Sequence, residues 1–132
     1  MAMALIEASR VCTNNARMIY VVGRESKVLG CSFCNSRLIY EIGTKIAGLE
    51  LMLRQERRFM NRYGQVIYED ILHFKNTKGK QQKDRDIITS GANIAVNMLE
   101  EKLVSADNKA LSLLRDAISR KDSVKPSERL SA

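Results

Sequence analysis

Residues 38–74 read LIYEIGTKIAGLELMLRQERRFMNRYGQVIYEDILHF, and the fold turns on the period of this stretch. Ile42, Ile46, Leu49, Leu53, Glu56, Met60, Tyr63 and Ile67 step alternately by four and three, and only Glu56 is charged. Apolar residues at that spacing over three to four heptads are the a/d pattern of a coiled coil. The spacing predicts one amphipathic helix over 38–74, about 55 Å long at 1.5 Å per residue. Ile71 and Phe74 continue its apolar stripe. Gly43, Gly48 and Gly64 each weaken such a helix by about 1 kcal/mol relative to Ala, and Tyr63-Gly64-Gln65 is where it would break. Ile42, Ile46, Leu49, Leu53, Met60, Tyr63 and Ile67 then form the seam of a homodimer. Glu56 falls on that seam. It needs a partner there, or the seam is not fully buried at that point.

The same stretch begins the main concentration of charge. Residues 54–83 hold eight Lys and Arg against three acids, and so carry +5 of the chain's +7. On a helical wheel Arg54, Arg58 and Arg62 form one stripe with Arg57 beside it, opposite the apolar seam. Lys75, Lys78, Lys80 and Lys83 follow in a polar stretch with no acid between them. A basic helix face running into a lysine-rich loop suits a polyanion. Such groups contact phosphate rather than base, and the binding they produce falls with salt.

Outward from this centre the chain reads as a single helical domain over 1–120. One proline, Pro126, and abundant Leu, Ile, Ala, Lys, Arg and Glu favour helix. A short helix is expected over 3–12. The apolar runs Arg17–Val22 and Lys27–Phe33, around Gly23-Arg24-Glu25-Ser26, predict a small β-hairpin over 17–33. Residues 75–86 form a basic loop, and 87–119 form C-terminal helices, with Ser105-Ala106-Asp107-Asn108 a place to split them. Residues 120–132 are a polar, flexible tail. The expected fold class is therefore mainly α, built on long coiled-coil-like helices.

Enzyme signals are poor. His73 is the single histidine, with no nucleophile elbow or triad spacing around it, and Lys78-Gly79-Lys80 lacks the spacing of a phosphate loop. No catalytic residue, cofactor or small-molecule substrate is expected. Cys31-x-x-Cys34, with Cys12 and His73, is the one zinc set the chain offers. A single CxxC is a weak signal, and a 38–74 helix would hold His73 about 50 Å from Cys34. Three free thiols are the simpler reading. An odd cysteine count argues against a secreted disulfide framework, and no apolar run reaches the ~20 residues of a membrane span, so an intracellular place, cytoplasmic or nuclear, is expected. The composite expectation is a non-enzymatic, dimeric regulatory protein that binds nucleic acid, with RNA before DNA, because long paired helices with outward arginines suit a duplex read by shape and phosphate. Its contacts would be Arg54, Arg57, Arg58, Arg62, Lys75, Lys78, Lys80 and Lys83. The competing reading is a protein–protein adaptor that uses the heptad seam and an acidic partner.

Overall fold

The computed structural model describes residues 1–79 and 83–125. Helix α1 (Ala2–Val11) leads into strand β1 (Arg17–Gly23). Two short strands, β2 (Glu25–Val28) and β3 (Cys31–Cys34), precede helix α2 (Asn35–Lys45). Strands β4 (Leu49–Met60) and β5 (Val66–Asn76) follow, then helices α3 (Asp84–Glu100) and α4 (Asn108–Ser119). Short 3-10 turns lie at Leu103–Ser105 and Lys121–Ser123.

The architecture is mixed α/β, which corrects the mainly α, coiled-coil expectation. The 38–74 stretch is not one helix. It is the end of α2 and a long antiparallel hairpin, β4 paired with β5. Three local features end the helix and set the hairpin. Gly48 lies at φ +65°, and a Cβ there would come within 2.0 Å of the Gly79 backbone nitrogen, so only glycine fits this crossing. The turn at 61–65 has Gly64 at φ +76°. Asn61 accepts at its side-chain oxygen from the backbone N–H of Tyr63 and of Gln65, a local turn that competes with helix. Val66, Ile67, Tyr68, Ile71 and Phe74 on the return strand are β-branched or aromatic residues suited to a pleated surface.

The seam residues separate accordingly. Ile42 and Ile46 belong to α2 and its cap and are buried, and Leu49 is buried at the start of β4. Leu53, Met60 and Tyr63 are exposed along the hairpin and its turn, and Ile67 lies opposite Phe59. No coiled-coil dimer seam exists. Glu56 is an exposed strand residue paired with Arg24. The expected 17–33 hairpin is also corrected. Its first run, β1, pairs with β5, while β2 and β3 form a two-stranded sheet of their own.

The main sheet has the order β1-β5-β4, all antiparallel. Met18, Leu72 and Phe74 turn to one face and pack with Leu5, Ile39, Ile42, Ile46, Ala47, Leu49 and Ile87. Gly43 brings α2 close enough for a Cβ to sit 3.4 Å from the Phe74 ring. A second cluster joins Phe33 to Met98, Leu99 and Leu114. At the base of β5, buried Asn76 donates to the carbonyls of Ser9 and Thr13 and accepts from the Ser9 hydroxyl at 2.8 Å. Lys78 Nζ donates to the carbonyls of Ser9 and Arg10 at 2.9 Å and to that of Cys12. Together they satisfy the open carbonyls at the end of α1. Among the described residues no helix is long and apolar enough to cross a membrane.

Candidate nucleic-acid interface

β1 stops pairing at Gly23, opposite Glu69, whereas β4 and β5 stay paired out to Met60 and Val66. The Arg24 N–H still donates to the Tyr68 carbonyl at 3.0 Å, and from there residues 58–68 project past the third strand as a two-stranded arm closed by the 61–65 turn. The arm carries Arg58 and Arg62, and no acid. Phe59, Met60, Tyr63, Val66 and Tyr68 are all exposed on it.

Its base is held by an ion-pair network around Asp70, which is fully buried. Arg24 donates to Asp70 from Nη2 at 3.0 Å, and Arg54 donates from Nη2 at 2.8 Å. Arg24 also pairs with Glu56, and its guanidinium lies 5.1 Å from the centre of the Tyr68 ring. Burial alone would push the Asp70 carboxyl up. Hydrogen bonds from Arg24, Ser36 and Arg54 outweigh it and hold the carboxyl at about 2. The same bonds raise the Arg24 pKa, with Asp70 the larger contributor and Glu56 the second. The arm thus grows from a charged, fully ionised anchor rather than from an apolar one.

The eight expected contacts do not act as one patch. Arg54 is engaged by Asp70 and Arg57 by Glu69 at 2.8 Å. Lys78 caps α1, and Lys80 lies outside the described residues. Lys75 stands across from Arg17 and Glu50 on the sheet, and Lys83 is exposed just before α3. Arg62 donates to the hydroxyl of Tyr63, and among the described residues no ion pair or side-chain hydrogen bond holds Arg58. Two of the eight, Arg58 and Arg62, meet on the protruding element with no carboxylate beside them.

Arg24, at the base of the arm, is a residue that sequence reasoning missed. Arg24 sits in what reads as a turn, and its partner Asp70 is 46 positions away. Tyr68, with Phe59 and Phe74, reads from the sequence as an aromatic near the basic segment whose periodicity suits a core equally well.

The zinc set does not assemble. Arg17 donates to His73 Nδ1 at 2.9 Å, which leaves Nε2 to donate to Gln55 Oε1 at 2.8 Å, so both ring nitrogens are taken. Cys31 and Cys34 pack beside the second cluster, and Cys12 follows α1. Among the described residues no group of three or more His, Cys, Asp or Glu is placed to hold a metal.

No protein family, curated protein or solved structure matches this chain.

Proposed function

We propose that this chain is a non-enzymatic nucleic-acid-binding protein and that the β4–β5 arm is its contact element. The observation that supports this reading is the arm itself: residues 58–68 protrude, carry two exposed arginines and contain no acid. A guanidinium on a rigid ribbon donates to phosphate oxygens in a fixed fork. The preference for duplex RNA rests on paired long helices, so it does not carry over to this fold. The proposal is made for the phosphodiester backbone of RNA or DNA. An intracellular place agrees with three cysteines that form no disulfide.

The test is fluorescence anisotropy with labelled oligonucleotides from 50 to 200 mM salt. Two or three neutralised phosphates predict a loss of affinity of roughly 7- to 40-fold over that range. Arg58→Glu with Arg62→Glu removes binding, and both sites are exposed, so the fold is kept. A flat salt response, or unchanged affinity in the double variant, refutes the proposal.

A second reading has its own support. On the sheet face away from the helices, Ile19, His73 and Leu53 form one row and Val21, Ile71 and Gln55 the next. Ile19, Val21 and Leu53 are about half exposed there. A water-facing antiparallel sheet is usually polar, so this face favours contact with another protein. If that is its role, Val21→Asp abolishes partner capture and leaves oligonucleotide binding intact.

A further inference from the structure

We infer that the arm takes single-stranded rather than duplex nucleic acid, with bases stacked on Tyr63, Phe59 and Tyr68 and phosphates held by Arg58 and Arg62. This rests on the reading of the arm as a nucleic-acid contact and narrows its ligand.

The observation behind it is a repeated pairing. Each aromatic ring of the arm has a guanidinium over it: Arg62 lies 4.6 Å from the centre of Tyr63, Arg57 5.3 Å from Phe59 and Arg24 5.1 Å from Tyr68. The pairing does not bury the rings. Tyr63 remains 69% exposed, and Phe59 and Tyr68 are each 42% exposed. Two of these arginines are themselves tied down by acids, Arg57 by Glu69 and Arg24 by Asp70 and Glu56, while Arg62 donates to the hydroxyl of the ring it covers and has no acid beside it. The rings are therefore held in place, with aromatic surface still open to a ligand.

That arrangement is out of keeping with a duplex ligand. A duplex presents phosphates and base edges but keeps its base faces stacked inside, so exposed rings gain little from it. In a single strand the base faces are available, and stacking on an aromatic ring is tolerant of sequence because every base has a π-face. A guanidinium on the far side of the ring strengthens the platform by fixing the ring and adding its cation–π attraction. A hairpin turn that only closed a chain would have no need of Phe59, Met60 and Tyr63 in water.

Position sets the size of the site. Phe59 lies opposite Ile67, Tyr68 lies opposite Arg58, and these two cross-strand pairs are adjacent in register, so they face opposite sides of the ribbon. Tyr63 stands on the turn between them. A strand that meets more than one ring must pass around the tip, which fits a contact of two or three nucleotides.

The experiment compares oligo-dT and oligo-rU 12-mers with 12-base-pair DNA and RNA duplexes by anisotropy at 50 mM salt. The panel is repeated with Tyr63→Ala, Tyr63→Phe and Phe59→Ala, and with vesicles of phosphatidylglycerol and phosphatidylcholine. The expected result is single strands bound at least tenfold tighter than either duplex. Tyr63→Ala should lose about 5- to 150-fold, the range for one stacked base, while Tyr63→Phe stays within twofold. A 2-aminopurine placed in the single strand is quenched by the parent protein and not by Tyr63→Ala. Equal binding of strands and duplexes with no loss in Tyr63→Ala overturns this inference and leaves the proposed function standing. Failure to bind any oligonucleotide, or binding only to the anionic vesicles, overturns both. Thermal melts of the variants confirm the fold, and Tyr63→Leu replaces Tyr63→Ala if the latter melts early.

Discussion

Asp70→Asn tests whether the arm is anchored by charge. The wild-type carboxyl is fully buried and held at about 2, against an ordinary value of 3.8. At 1.36 kcal/mol for each tenfold change in acidity, its ionised form contributes about 2–3 kcal/mol to folding at neutral pH. The asparagine keeps the shape and one acceptor but loses the charge. Its two arginine partners are not stranded, because Arg24 is 26% exposed and keeps Glu56, while Arg54 is 53% exposed and reaches water; the buried Ser36 hydroxyl donates to the acceptor that remains. The cost should therefore fall near 2–3 kcal/mol, below the ~3–5 kcal/mol typical of a fully buried pair broken on one side.

The sign of the pH dependence follows from the depressed carboxyl. Its contribution is complete above 3.8 and is lost as the pH falls from there towards 2. Urea unfolding of wild type and Asp70→Asn should differ by the full amount at pH 6–7, and the two curves should converge near pH 2. Taking the difference between the proteins removes the titration of other acids common to both. A gap that stays constant from pH 7 to pH 2.5, or that never exceeds about 0.5 kcal/mol, would refute an anchor made of charge.

Other outcomes follow from the same geometry. Arg58→Glu with Arg62→Glu should abolish oligonucleotide binding while leaving the melting temperature within a degree or two, as checked by circular dichroism and anisotropy. Asn76→Ala leaves the carbonyls at the end of α1 with Lys78 as their side-chain donor and takes the acceptor from the buried Ser9 hydroxyl; it should cost about 3 kcal/mol in urea unfolding. Gly48→Ala forces a side chain onto the Gly79 backbone at a positive φ, and should destabilise by more than about 3 kcal/mol or prevent soluble expression. Tyr63→Ala should discriminate against single strands and leave unfolding unchanged.

The hairpin was hidden for a physical reason. In β4 the chain carries a bulge between Leu51 and Leu53, so the inward set changes from Leu49 and Leu51 to Arg54 and Glu56. A strand whose parity flips midway shows no period of two. Beyond the sheet body the arm has no buried side, so no core sets the spacing of its apolar residues. What remains, read by eye, is a chance succession of fours and threes. The turn signals were visible at Asn61 and Gly64, but a lone glycine in a helical pattern is a weak argument against three heptads.

What the sequence alone determined is the inventory: a basic segment across its middle, a stretch at 58–68 without acid, and aromatic residues interleaved with arginine. These are properties of composition and survive any fold. What only the tertiary structure decided is which charges are free. Asp70 and Glu56 together balance Arg24 and Arg54, Glu69 takes Arg57, and the end of α1 takes Lys78, each across separations from 12 to 69 positions. Pairings at that distance depend on which strands lie side by side, and strand pairing is a property of the whole chain. Arg58 and Arg62 are left without a carboxylate because they lie on the stretch of ribbon that no third strand covers.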